Sequence, residues 1–139
     1  MQNFAWTALV TLLALVVYFM TGLGVAGARG KYKVAAPATV GDPRFERHFR
    51  VQMNTLEWLP IFLPSLWLFS VSWGDRIAAG IGIVWVVGRL LYMLTYVRDP
   101  KSRGAGFLVQ GLAALSLLVG ALIGVVHTLI ISRAGSFFG

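Results

Sequence analysis

Residues 47–62 read RHFRVQMNTLEWLPIF. The second half of this stretch is as apolar as a membrane span, yet the first half carries Arg47, Arg50, Gln52, Asn54 and Glu57. On an α-helix, Arg50, Asn54 and Glu57 fall at i, i+4 and i+7 and share one face, which Ile61 continues. A polar stripe at membrane depth turns toward protein or a water-filled cavity rather than toward acyl chains. The fold therefore depends on whether the surrounding sequence makes this segment a membrane helix.

The composition says that it does. Of 139 residues, 58% are hydrophobic and 12% charged, where a soluble domain carries about 25% charged residues. The mean hydropathy is +0.76. A water-soluble chain of this composition would lack the polar surface to cover itself. Phe4 to Ala26 carries no charge and exceeds the roughly 20 residues that cross a hydrocarbon core. It lacks the basic n-region of a signal peptide and outruns a typical h-region. Ile77 to Val97, interrupted by Arg89, and Gly104 to Ser132, with Gln110 and His127, are further runs. Trp58 to Trp73, at about 1.5 Å per residue, reaches only roughly 24 Å of a roughly 30 Å core. The second helix must then begin near Phe45, inside the polar stretch. Long continuous runs without barrel-type alternation favour a helical bundle. The expectation is an all-α integral membrane protein, one domain over 1–139 with four transmembrane helices at about 4–28, 45–73, 76–97 and 104–132.

Charge gives the sidedness. The formal net charge is +7, and its carriers gather at the ends of apolar runs, which argues against a nucleic-acid partner. Arg29, Lys31, Lys33, Arg44, Arg47, Arg50, Arg98, Lys101 and Arg103 share one face; Arg76 and Arg133 lie on the other. The positive-inside rule places the first set in the cytoplasm, of a bacterial inner membrane or of the endoplasmic reticulum. Pro37, Gly41 and Pro43 break the first connection, Gly74 makes the second a tight turn, and Pro100 breaks the third. There is no cysteine, and there are two histidines, His48 and His127; neither a thiolate nucleophile nor a metal cofactor is expected.

The third run offers a matching stripe: Arg89, Tyr92 and Tyr96 at i, i+3 and i+7, followed by Arg98 and Arg103. Two polar faces near one boundary would form a pocket receptive to anions at its mouth and apolar deeper in. Plainer readings exist for each residue. Tyr92 and Tyr96 also suit an interfacial aromatic belt. Arg89 and Glu57 suit a structural ion pair, and Arg47, Lys31 and Lys33 suit lipid phosphates. Pro60 and Pro64 suit a kink, and Gly80, Gly82, Gly88, Gly120 and Gly124 suit close helix contact.

The block GDPRFERHFRVQMNTLEWLPIF resembles the signature of the MAPEG family, membrane-associated proteins in eicosanoid and glutathione metabolism, through Gly41, Phe45-Glu46-Arg47, Phe49, Gln52, Asn54, Glu57 and Pro60. A second block, GRLLYMLTYVRDPKSR, is similar to the family's third helix and following loop and supplies Arg89, Tyr92, Tyr96 and Arg103. The resemblance implies a homotrimer that binds glutathione between neighbouring subunits. It implies glutathione contacts from Arg50, Asn54, Glu57, Tyr92 and Tyr96, with Arg29 and Gln52 as further candidates, to which the polar stripe of the third run adds Arg89. It also implies that Arg103 activates the thiol as the catalytic residue. His48, Val51 and Thr55 depart from the signature's valine, alanine and cysteine. Trp58 and Gly30 replace a tyrosine and an arginine of the leukotriene C4 synthase branch, so a broader glutathione transferase is the expected activity. Its partners would be glutathione as co-substrate, a lipophilic electrophile or lipid hydroperoxide, and membrane lipid. A lipid-binding scaffold of the lipoxygenase-activating type and a small channel are the other classes open to this fold. Arg103 counts against the scaffold, and the absence of a filter-like motif counts against the channel.

Overall fold

A computed structural model describes residues 2–136, with side chains described from 3 to 132; the Arg133 side chain lies outside the described residues. After a short 3-10 turn the chain forms α1 (Ala5–Tyr32), α2 (Pro43–Trp73), α3 (Asp75–Arg98), a 3-10 turn (Pro100–Arg103) and α4 (Gly104–Ser136). All four α-helices are long and apolar enough to cross a membrane. α2 and α3 sit at the centre, and α1 and α4 pack against both from opposite sides.

The helix ends follow from local chemistry. Pro43 does not break α2 but starts it. A proline is tolerated at the first helical position, where no N–H is needed. Asp42 caps it by accepting from the Arg44 N–H at 2.8 Å, and Glu46 reaches back to the Gly41 N–H at 2.9 Å. The Arg44 guanidinium also bonds the Asp42 carboxylate, at 2.8 Å. These bonds hold the Asp42 carboxyl down at about 2. The cap is therefore fully charged above about pH 4 and weakens only as the pH falls toward 2. α1 runs on through Arg29 and Lys31 to Tyr32 and ends at Lys33, which takes a left-handed φ of 56°. Basic residues suit the last turn of a helix, where carbonyls are unpaired. Arg47, rather than facing lipid phosphate, donates to the Arg98 carbonyl at 3.1 Å and so closes the end of α3. At the opposite end, Asp75 accepts from the N–H groups of Trp6 and Thr7 at 3.0 and 2.7 Å. The first residue of α3 thus caps the start of α1.

In a bilayer, apolar side chains gain little by leaving lipid for protein, so small residues and polar contacts decide how helices meet. Phe62 and Trp85 stack at 4.0 Å at the centre of the bundle. A β-carbon on Gly82 would come within 2.7 Å of Val10. Gly120 and Gly124 meet the Phe69 and Ser72 side chains. Gly80 meets nothing within 4 Å, so its expected packing role is not realised among the described residues. The contact that matters most for the site joins α3 to α4. A β-carbon on Gly88 would lie 2.7 Å from the Gln110 backbone nitrogen, and one on Gly106 would enter the Tyr92 backbone.

Gly106→Ala is expected to push α4 off α3 and lower stability by about 1–3 kcal/mol, the usual range for overpacking. Gly80→Ala should be close to neutral. Thermal unfolding of the detergent-solubilised protein checks both, and equal midpoints would mean the close crossing is not needed.

Candidate functional site

The two glycine contacts set the register of α4 on α3, and the register places side chains. Gln110 lands beside Arg89, and Phe107 lands against Tyr92 with ring centroids 6.3 Å apart. Arg89 is fully buried, roughly 14 Å of helix axis inside the end of α3 at about 1.5 Å per residue. A buried cation there must be hydrogen-bonded. Its guanidinium donates to Asn54 Oδ1 at 2.6 and 3.1 Å and to Gln110 Oε1 at 2.8 Å. It also lies 4.3 Å from the Tyr92 ring centroid, a cation–π contact.

Asn54 passes the polarity on. Its Nδ2 donates to Glu57 Oε2 at 3.2 Å. Arginine only donates and an ionised carboxylate only accepts, so the amide has one consistent orientation, oxygen toward Arg89 and nitrogen toward Glu57. The structural ion pair that Arg89 and Glu57 suit is thus bridged by an amide. Gln110 was visible in the sequence as an amide in a charge-free span. Its pairing with Arg89 was not, because that depends on the glycine crossing.

Above this buried network, Arg50, Asn54, Tyr92, Arg103, Gly104 and Phe107 line a cleft of about 310 Å³ at the basic end of the bundle. Tyr96 stacks on Tyr92 at 5.4 Å, and the Arg103 guanidinium stands 5.9 Å from the Tyr96 ring centroid. Neither Arg50 nor Arg103 makes a hydrogen bond or ion pair with another described residue. Two unpaired guanidinia, a fixed amide and aromatic walls suit a small anionic molecule with carboxylates.

The sequence-derived site residues divide into three groups. Arg50, Asn54, Tyr92 and Arg103 line the cleft, with Tyr96 and Glu57 adjoining it through Tyr92 and Asn54. Arg89 lies beneath, committed to Asn54 and Gln110, and does not line the cleft. Gln52 and Arg29 point elsewhere. Gln52 lines a groove on α1 with Leu15, Phe19, Gly22 and Leu23. Arg29 bonds the Ala38 carbonyl at 2.7 Å and sits 4.7 Å over the Phe45 ring, strapping the first loop to α2. Phe107 and Gly104 are cleft residues that sequence reasoning missed.

Residues 7–123, which include every residue of this cleft, match the family model for the MAPEG family. The chain belongs to the MAPEG family. As a MAPEG protein with four spanning helices it is a multi-pass integral membrane protein. It is 45% identical to human microsomal glutathione S-transferase 2 over 101 residues, 72% of this chain and 69% of that protein. It is 37% identical to bovine leukotriene C4 synthase over 122 residues, covering 82% and 81% of the two chains. An uncharacterized Synechocystis protein matches this MAPEG chain at 45% over 124 residues, 89% and 90% of the respective lengths.

Proposed function

We propose that the protein is a membrane-bound glutathione transferase that adds the glutathione thiolate to lipophilic electrophiles. The observation that carries this reading is the pair of unpaired guanidinia, Arg50 and Arg103, in one cleft with the Asn54 amide and Tyr92. Glutathione brings two carboxylates, an ammonium and a thiol. Arg50 takes a carboxylate, Glu57 takes the ammonium, Asn54 orders Glu57, and Tyr92 and Tyr96 wall the backbone of the tripeptide. Arg103 stands beside the sulfur and stabilises its anion; an arginine stays protonated and cannot serve as a general base.

Glutathione would lie between subunits of a homotrimer. Glu57 is exposed on the surface of the single chain although it belongs to a spanning helix. An ionised carboxylate facing acyl chains is costly, so a neighbouring subunit or bound water must cover it. Gln52 lies on the α1 side of the exposed face of α2, across from the cleft. A neighbour docked on that face would bring its own Gln52 groove to the open side of this cleft.

The second substrate enters from lipid. An apolar groove of about 520 Å³ runs down the α2–α4 side from Pro60 and Ile61 past Pro64 to Leu122. It continues the face on which Glu57 sits, toward the bilayer centre. Attack of the thiolate on an electrophilic carbon expels the leaving group and forms the thioether. With a lipid hydroperoxide, attack on the terminal oxygen releases the lipid alcohol and gives a glutathione sulfenic acid. A second glutathione then forms the disulfide and water.

The purified protein with glutathione and 1-chloro-2,4-dinitrobenzene, with and without an added lipid hydroperoxide, tests the proposal. Conjugation is the expected result. No conjugation, together with tight binding of a lipid analogue in the groove, would show a non-catalytic scaffold instead. The basic end, and with it the cleft, faces the cytoplasm on this reading, so glutathione, too polar to cross the bilayer, should support conjugation when supplied outside sealed inside-out vesicles and not when supplied outside right-side-out vesicles.

A further inference from the structure

A further groove, of about 270 Å³, opens at the basic end between α1 and α3. Met20 and Gly24 form one wall, Met93 and Leu94 the other, His48 of α2 lies between them, and Arg98 stands at the lip. Gly24 lets the His48 ring pack closely, since a β-carbon there would come within 3.3 Å of Nδ1. No carboxylate lines the groove. The Arg98 side chain is exposed and makes no hydrogen bond or ion pair with another described residue, while its carbonyl is held by Arg47 at 3.1 Å. Lys31 follows Gly24 by two helical turns on the same face of α1. The mouth is thus cationic and the interior apolar.

The groove also faces away from the cleft. At 3.6 residues per turn, His48 and Glu57 project from opposite sides of α2. On the reading proposed above, neighbouring subunits cover the Glu57 side and the Gln52 groove; this groove shares no α1 residue with the Gln52 groove and opens instead toward α3, the side left to lipid. We propose that this groove seats one anionic phospholipid from the leaflet at the basic end, with its phosphate on Arg98 and one acyl chain between Met20 and Leu94. A guanidinium fork suits a phosphate, and basic pockets between spanning helices favour acidic headgroups.

Native mass spectrometry of the purified protein, given equal amounts of phosphatidylglycerol and phosphatidylcholine, tests this. The expected result is one phosphatidylglycerol retained per subunit, preferred about fivefold or more over phosphatidylcholine. Arg98→Gln should remove the preference. Leu94→Trp should fill the groove and abolish retention, and Arg76→Gln, at the other end of the bundle, should change nothing. Equal retention of the two lipids by the wild type, or wild-type retention by Arg98→Gln, would overturn the proposal. The same spectra report subunit number. A Leu94→Trp protein of altered oligomeric mass would show that the groove is a subunit interface and overturn it too. A monomeric wild type that keeps phosphatidylglycerol selectively would refute the trimer and leave the lipid seat standing.

Discussion

Arg103→Ala is expected to lower conjugation by up to about 25-fold at pH 7, with a larger loss in acid and little loss in base. A free thiol has a pKa near about 8.5, and the thiolate is the reacting form. If Arg103 lowers the bound thiol by roughly two units, it contributes about 2.7 kcal/mol to the anion. At pH 7 the thiolate fraction would then fall from about three quarters to about 3% when the guanidinium is removed. Below about pH 6 the ratio approaches 100-fold, and above about pH 9 both proteins hold the thiolate and the difference closes. The less acidic thiolate is also the better nucleophile at every pH, so the thiolate population sets about 25-fold as the upper bound at pH 7. Glutathione binding should weaken less than turnover, because Arg50, Asn54 and Glu57 remain. Turnover as a function of pH for both proteins is the measurement. A uniform loss across the pH range would make Arg103 a binding residue, and no loss would remove it from the mechanism.

Arg89→Met is expected to have the largest effect on stability. It removes the donor that holds Asn54 at 2.6 Å and Gln110 at 2.8 Å. Two acceptors lose their partner, and Gln110 is completely buried. Orphaned buried acceptors cost about 1–3 kcal/mol each, so a loss of about 2–5 kcal/mol is expected. Arg89→Lys should not rescue it, since an ammonium lacks the planar fork that spans two amides. Arg89→Met with Gln110→Met should recover part of the loss, because replacing both partners by apolar groups leaves fewer orphans. The glutathione KM should rise in every Arg89 variant that folds, because Asn54 then loses the partner that fixes its side chain, and with it the hydrogen bond that orders Glu57 loosens. Thermal midpoints of the single and double variants check the first point. A double variant no more stable than Arg89→Met would show that the Arg89–Gln110 bond contributes little.

Much of this was legible in the sequence, for identifiable reasons. Four uninterrupted apolar runs leave few alternatives to a helical membrane bundle. The i, i+4, i+7 spacing of Arg50, Asn54 and Glu57 needs only helical geometry, and that face is the one that meets the cleft. The helix ends were harder to read. Pro43 looks like a breaker until Asp42 is recognised as a cap, and the basic run after Ala28 looks like loop although cations suit a helix C-terminus. Family resemblance groups Gln52 and Arg29 with the site. Yet Gln52 lies two residues from Arg50 and from Asn54, which turns it to a different side of the helix. What no spacing rule supplies is the register of one helix on another. Gly106 allows α4 to touch the Tyr92 backbone, and from that contact follow the Arg89–Gln110 bond and the position of Phe107 in the cleft.

The most direct test is a pH titration of the ultraviolet thiolate absorbance of glutathione bound to the wild-type protein. The bound thiol is expected to ionise with a pKa roughly two units below the free value of about 8.5. A saturated complex whose thiol titrates like free glutathione, or a protein that binds no glutathione at all, would contradict it.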